Sequence, residues 1–466
     1  MMTTSSETKR GLTALVVWAA MLLSVVVLML ASGCSKESDY LHDAEAQPLT
    51  FSSDTVMFDT VFVAMGTTTH HFMVYNRGSK PVKIASVTMQ QGAASRFRLN
   101  VDGDSSRVVR NVTLAAGDSL FVFIQALIDP TDEASPFLVT DAVVFDVEGC
   151  ATQQLLVTAY GRNAVYHLPT DTLMKGTLDR YGNPYAYSII DCDNWDHTLP
   201  HVIVGYAVVY DDTLHLKAGD ELYFANDAVL WVFNEASLRV SGNEEHPVLF
   251  TSVRHDGWYG TLPGQWGHIW LGGISGGTCR PCVISHAVIE NAYYGIIADS
   301  NAYGYPTLYI DHCEICHHKV AGLQLDDAWV VGSRLLLYDC GGATIYVPFG
   351  GRYTFDHITS ANYWRLDHRT TPSVILRNWY ESVDGVVPRN LVEATFTNSI
   401  IYGNRSEGEL LLDGIDGARF EVNMANSVVR GKLWYDVDPR FVDIEANDYH
   451  LSDDSPAQGL GYYAEE

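Results

Sequence analysis

One short phrase keeps returning between Val283 and Val429, and it constrains the fold more than anything else in the chain. It reads as an apolar strand, a polar turn residue, a small or apolar partner, and a second apolar strand. It occurs at Ile284-Ser285-His286-Ala287-Val288-Ile289 and Ile310-Asp311-His312-Cys313-Glu314-Ile315. It recurs at Leu337-Tyr338-Asp339-Cys340, Phe355-Asp356-His357-Ile358, Leu376-Arg377-Asn378, Thr397-Asn398-Ser399-Ile400 and Ala425-Asn426-Ser427-Val428. The turn residues 286, 312, 339, 357, 378, 398 and 426 are separated by 26, 27, 18, 21, 20 and 28 positions. A period in the twenties built from alternating strands is the pattern of a β-solenoid, whose coils bury their faces only by stacking. Residues about two dozen apart are therefore expected to become vertical neighbours.

That register weighs the side chains with chemistry. His286, His312 and His357 look like a catalytic or metal-ligating array, but Asp339, Asn378, Asn398 and Asn426 share their place in the phrase. A turn column in which polar side chains satisfy backbone groups and one another accounts for all seven, and the array for three. The column is the expectation.

Cys279-x-x-Cys282 and Cys313-x-x-Cys316-His317-His318 carry the spacing of zinc ligands. The period places Cys282 on the column of Leu308, eight residues before Cys316. Eight extended residues span roughly 26 Å at about 3.3 Å each, too far for one ion to hold both pairs. Cys313 and Cys340 fall 27 residues apart, on one column by this period. Adjacent coils lie about 4.8 Å apart, within reach of a disulfide. Stacked small core residues come first, a Cys313–Cys340 bridge second and a metal site last. No metal and no cofactor is expected.

Upstream, residues 49–162 read as a separate unit. Short alternating runs at 51–58, 72–75, 82–87, 97–101, 120–124, 142–145 and 154–160 lie between turn signals, with no helical period. This predicts an antiparallel β-sandwich. Its Asn76-Arg77-Gly78 and Ala116-Gly117-Asp118 turns, Asp129-Pro130 and Tyr160-Gly161 resemble the immunoglobulin-like domains that sit beside cell-surface β-solenoids. No catalytic cluster stands out there, so a spacer or docking role is expected. Residues 163–200, irregular and rich in Asp, Tyr and Pro, read as a linker and cap.

From His201 to the C-terminus the phrases resemble those of right-handed parallel β-helix proteins of the pectate-lyase type. Leu238-Arg239-Val240-Ser241-Gly242 and Pro247-Val248-Leu249-Phe250 match their opening coils, and Gly264-Gln265-Trp266-Gly267-His268-Ile269 a coil entry. Asp438-Pro439-Arg440-Phe441 and Ser455-Pro456-Ala457 match their closing phrase. The expected fold class is thus all-β, an N-terminal immunoglobulin-like β-sandwich followed by a right-handed parallel β-helix over residues 201–466. The right hand is also what parallel β-crossovers favour.

The chain starts with an export signal. Lys9-Arg10 precedes an apolar run from Gly11 to Ala31, followed by Ser32-Gly33-Cys34. An uncleaved membrane helix is the rival reading of so long a run. Leu30-Ala31-Ser32-Gly33-Cys34 resembles the bacterial lipobox, which implies cleavage of residues 1–33 and acylation of Cys34 as a membrane anchor. Residues 34–48 then form a tether, whose acidic start loosely resembles outer-face sorting signals. An outer-membrane lipoprotein exposed at the cell surface is expected, a periplasm-facing one being the alternative. With 29 Lys and Arg against 56 Asp and Glu, the formal charge of -27 repels phosphate backbones and excludes nucleic acid as an expected partner. The whole combination resembles exported bacterial lipoproteins with β-helix repeats, a resemblance that implies architecture and location but no reaction.

Two functional readings follow. Trp258, Tyr259, Tyr293, Tyr294, Tyr303 and Tyr305 lie at strand ends or in turns and would stack sugar rings if they line one side of the coil. That makes a non-catalytic protein binding glycan, or a protein partner, along the β-helix. The alternative is a polysaccharide lyase or glycoside hydrolase using carboxylates near Asp299–Asp327. The Asn-Thr-Asp, Gly-His-Gly and Arg-Ile-Lys phrases of pectin-type hydrolases are missing, and none of Arg334, Arg352, Arg365 and Arg377 is singled out by spacing. No catalytic residue is assigned.

Overall fold

A computed structural model describes residues 47–67, 69–130, 135–172, 184–254, 257–273, 278–301, 303–431 and 435–464. The expected signal segment 1–33, Cys34 and the expected tether up to residue 46 lie outside the described residues. No helix among the described residues is long and apolar enough to cross a membrane. The chain is all-β and divides into two compact units.

The first unit takes in the described residues up to Met57, residues 69–125 and residues 140–158. Alternating strands such as Ser119–Ala126, with every second residue buried, present one apolar face each. They form antiparallel ladders, His70–Tyr75 with Ser119–Ala126 in one sheet and Val82–Met89 with Phe137–Val147 in another. Phe72 of the first sheet meets Phe145 of the second edge to face at 6.2 Å. A strand missing from the sequence reading, Val108–Leu114, pairs with Val82–Met89. Its exposed face carries Arg110 and Asn111, which mask the alternation.

The second unit holds residues 58–68, 126–139 and everything from Ala159 onward. It is dominated by a sixteen-stranded and a ten-stranded sheet, in which successive strands pair in parallel except for Asp171–Thr172, which runs antiparallel to Ala186–Ile189. One apolar column shows why they stack. Leu230, Ile269, Ile296, Leu323, Ile345 and Val374 are register partners on consecutive strands, and all are fully buried. The shortest step, Leu323 to Ile345, is 22 residues and the longest, Leu230 to Ile269, is 39. This arrangement of stacked parallel strands is consistent with a β-helix. The ladder starts earlier than expected, because Val165–His167 pairs in parallel with His201–Ile203 and Ala186–Ile189 with Tyr206–Tyr210. The stretch 163–200 thus supplies strands besides linking and capping. At the other end Phe441–Asp443 and Asp448–Leu451 close on each other as an antiparallel pair.

Two turn columns, not one, edge the sixteen-stranded sheet. In the first, His286, His312, Arg334, His357, Asn398 and Asn426 all adopt left-handed backbone, with φ between 46° and 52°. Their flanking residues pair in register, so they stand above one another. Asp339 is not among them. With Asn291 and His317, also left-handed at φ 68° and 56°, it belongs to a second column one strand further on. Asn378 ends a strand of the other sheet, where its amide serves Ile415, Ala418 and Arg419 carbonyls. Arg334 takes the vacant place. An arginine is an unusual occupant of a left-handed turn, so nothing in its residue type marks it.

Candidate functional site

The outward face of the ten-stranded sheet carries a line of side chains pointing away from the core. Val208, Trp231, Trp270, Ile297, Gln324 and Tyr346 are register partners in that order. Trp231 and Trp270 stack at 5.0 Å with planes 13° apart, and Val208 and Trp231 belong to an apolar cluster separate from the main core. Single aromatics in apolar strands look like core in a sequence, and only the register shows them facing out.

Carboxylates interleave with these rings. Asp299 and Asp326 are register partners at the C-terminal ends of adjacent strands. Trp270 donates its indole N–H to Asp299 Oδ2 at 2.8 Å, and Gln324 donates to both Asp326 oxygens at 3.1 and 3.2 Å. Gly272 leaves the space, since a Cβ there would stand 2.6 Å from Asp299 Cβ. Burial raises the Asp299 carboxyl above the usual carboxylate range. It pushes Asp326 up to about 6, helped by the charge of Asp299. Tyr294 is raised too, by burial and then by Tyr346 and Asp326. Asp327, also raised by burial, faces the opposing pull of Arg389. An acid that holds its proton up to about pH 6 beside a second carboxylate is, in mildly acidic solution, a proton donor next to a proton acceptor.

The six expected stacking residues divide around this face. Tyr293 and Tyr294 lie at the start of the strand Tyr294–Asp299, and Trp258 and Tyr259 on the turn Gly257–Thr261, which Asn291 and Gln265 tie down through carbonyls of Gly260 and Tyr259. Tyr303 and Tyr305 follow the other end of that strand and stack at 5.3 Å. Only Tyr294 belongs to the cluster on the face itself. Trp258 is 67 % exposed, and Arg254 lies over Tyr259 at 3.7 Å. The four arginines are engaged in other places: Arg365 with Glu445, Arg377 with Asp413, Arg352 over Trp329 and Arg334 with the Ala464 carbonyl.

The histidine column serves hydrogen bonds. His286 and His312 stack at 4.6 Å with planes only 2° apart. Asp311 Oδ2 accepts from the Ser285 hydroxyl at 3.0 Å and sits 2.8 Å from His312 Nδ1, and Ser285 Oγ lies 2.9 Å from His286 Nδ1. Ligand atoms of His286, Asp311 and His312 lie within 4.8 Å of one another. Parallel rings aim their lone pairs side by side, however, and do not converge on one ion. His357 repeats the pattern with Asp356 at 2.7 Å, and Asn426 donates to Asn398 at 2.7 Å. An open groove of about 500 Å³ runs past His286, His312 and Arg334, edged by Glu244 and Tyr462.

The cysteines separate. Cys282 pairs with Leu308, as the period predicts. Cys313 pairs with Leu335, and Cys340 lies beyond the end of that strand. Both are free, buried thiols, so the bridge weighed as the second possibility does not form. The reason is that the coil here is 22 residues long, not 27.

No protein-family profile matches the chain, and no curated protein resembles it in sequence. Among solved structures, the Agl-KA catalytic domain aligns over 78% of this chain and 76% of its own, at 10% identity and a TM-score of 0.23. A family 123 glycoside hydrolase from Clostridium perfringens aligns over 27% of this chain and 28% of its own, at 9% identity and a TM-score of 0.19. The PapD-like domain of human CEP192 aligns over 28% of this chain and 91% of its own, at 13% identity and a TM-score of 0.17. The chain thus spans little more than a quarter of that glycoside hydrolase's length, and TM-scores this low establish no shared fold.

Proposed function

We propose that the chain is a membrane-anchored surface lipoprotein that binds a glycan along the outward face of the ten-stranded sheet. In this reading residues 201–466 form a right-handed parallel β-helix, an immunoglobulin-like sandwich acts as spacer, and an acylated Cys34 holds the protein in the outer membrane. The observation that carries it is the line of half-buried side chains Trp270, Gln324 and Tyr346, backed by the buried Trp231 and flanked by Asp299 and Asp326. Aromatic rings stack on the apolar faces of sugars, while carboxylates and amides take their hydroxyls. Coils repeat about every 4.8 Å, so the face sets aromatic, amide and carboxylate side chains in a row along one direction, as an extended sugar chain requires. A protein partner would use the same rings less selectively.

Glycoside hydrolysis is the second reading, and one observation favours it. Asp299 and Asp326 stand side by side on adjacent strands, whose backbones lie about 4.8 Å apart. Retaining glycosidases place their two carboxyls about 5–5.5 Å apart, one protonated and one ionised. A lyase is less well supported, because the arginines suited to act as its base are engaged in other places.

A glycan array followed by a turnover assay on the full chain separates these readings. Retained sugar with no released ends supports binding alone. Released reducing ends, abolished by Asp299→Asn and Asp326→Asn, establish the hydrolase. Absence of any glycan binding sinks both.

A further inference from the structure

The second turn column of the sixteen-stranded sheet gathers three unlike ligands. Glu290 and Cys316 are register partners on adjacent strands, and His317 follows Cys316 in left-handed backbone. One carboxylate oxygen, the thiol sulfur and one imidazole nitrogen all lie within 4.8 Å of one another. Cys316 is fully buried and His317 is 9 % exposed.

Their hydrogen bonds leave this meeting unexplained. His317 Nδ1 is buried with no partner, and so is Asp339 Oδ1. Asp339 Oδ2 stands 3.9 Å from His317 Nε2. Glu290 Oε1 accepts from the Thr251 hydroxyl at 2.7 Å, and Glu314 is held by the Tyr338 hydroxyl. The Cys316 sulfur lies 4.0 Å from Glu314 Oε1. Burying polar atoms without partners is costly, and natural chains rarely place several together unless something satisfies them.

We propose that Glu290, Cys316 and His317 bind a borderline divalent cation, Zn²⁺ by their chemistry, with Asp339 beside the His317 imidazole. A sulfur, a nitrogen and an oxygen donor together suit zinc, whereas calcium and magnesium take oxygen shells. Zinc bonds of about 2.0–2.3 Å set tetrahedral ligands about 3.4–3.7 Å apart, which small side-chain rotations reach from the observed spacing. The objection from the paired cysteines does not touch this site. It uses one cysteine of the four and recruits its carboxylate from the neighbouring coil, which spacing along the chain cannot reveal. The site is on a different sheet from the glycan-binding face, so it stands or falls independently.

Cobalt titration of the full chain under reducing conditions tests it. Saturable binding with thiolate-to-cobalt charge-transfer absorption, reversed by zinc, is the expected result. Cys316→Ser abolishes that absorption, while Cys313→Ser, altering a buried thiol paired with Leu335, preserves it. His317→Asn, tolerant of left-handed backbone, and Glu290→Gln each weaken cobalt binding on the order of a hundredfold. If Cys316→Ser fails to fold, those two variants read the same outcome. Wild-type protein without the charge-transfer absorption overturns the site, as does absorption that persists unchanged in Cys316→Ser or His317→Asn.

Discussion

Asp299 and Asp326 are register partners on adjacent strands of the ten-stranded sheet, and Asp326 keeps its proton up to about pH 6. Burial is the main cause, opposed by the Gln324 amide and reinforced by Asp299. An unfolded aspartate titrates near 3.9, so between about pH 4 and 6 the folded chain binds the extra proton. Stability from this group is complete below pH 4 and is lost as pH rises through 6. Asp326→Asn is therefore expected to raise the unfolding temperature above pH 6 and to give no gain at about pH 4. Thermal unfolding across that range checks it; a gain independent of pH would show that charge is not the cause.

Arg369 and Glu409 form an ion pair inside the second unit, with side chains 1 % and 0 % exposed and atoms 2.6 Å apart. Glu409 also accepts from the Ser373 hydroxyl at 2.7 Å, the Ser373 N–H at 2.9 Å and the Arg405 N–H at 2.9 Å. Removing one partner strands the other charge away from water, at a cost of about 3–5 kcal/mol. Arg369→Ala and Glu409→Ala should each destabilise by that much in urea unfolding. Arg369→Met combined with Glu409→Leu should be more stable than either single variant, because no buried charge is left.

How far the sequence could be read depended on whether a residue's neighbours lay along the chain or across it. Alternation at Ile284–Ile289 or Ser119–Ala126 is local, and those strands form where expected. Column membership is not local. A constant period carried Cys313 toward Cys340 and merged Asp339 with the histidines, because the step from His312 to Arg334 is only 22 residues. The step from His357 to Asn398 is 41, lengthened by an excursion through the antiparallel pair Trp379–Ser382 and Gly385–Pro388. Trp231, Trp270 and Tyr346 escaped notice for the same reason, since which face a strand shows is set by its partners.

Asn398 tests the turn column. It donates to Asp356 Oδ1 at 2.9 Å and accepts from Asn426 at 2.7 Å, with φ at 50°. Left-handed backbone costs an alanine roughly 1–2 kcal/mol, and the two lost hydrogen bonds, both partly exposed, together add about 1 kcal/mol. Asn398→Ala should lower stability by about 2–3 kcal/mol, and Asn398→Gly by only the hydrogen-bond part. Equal losses in the two variants, measured by urea unfolding, would mean that the backbone conformation carries none of the cost.

Trp270 should dominate glycan affinity. It lies between Trp231 and Ile297 on the sheet face and fixes Asp299 through its indole N–H. Trp270→Ala removes a stacking surface and frees the carboxylate that takes sugar hydroxyls. Aromatic stacking is worth about 0.5–1.5 kcal/mol, so the expected loss is up to about tenfold in affinity, with Tyr346→Ala, which anchors no carboxylate, losing less. Trp258→Ala should change affinity by much less, although Trp258 is 67 % exposed, because it sits on the turn Gly257–Thr261 and not on the face. Calorimetric titration with the best array ligand ranks the three variants. Should Trp258 prove the strongest, the sugar runs along the turns, and the outward face loses its claim.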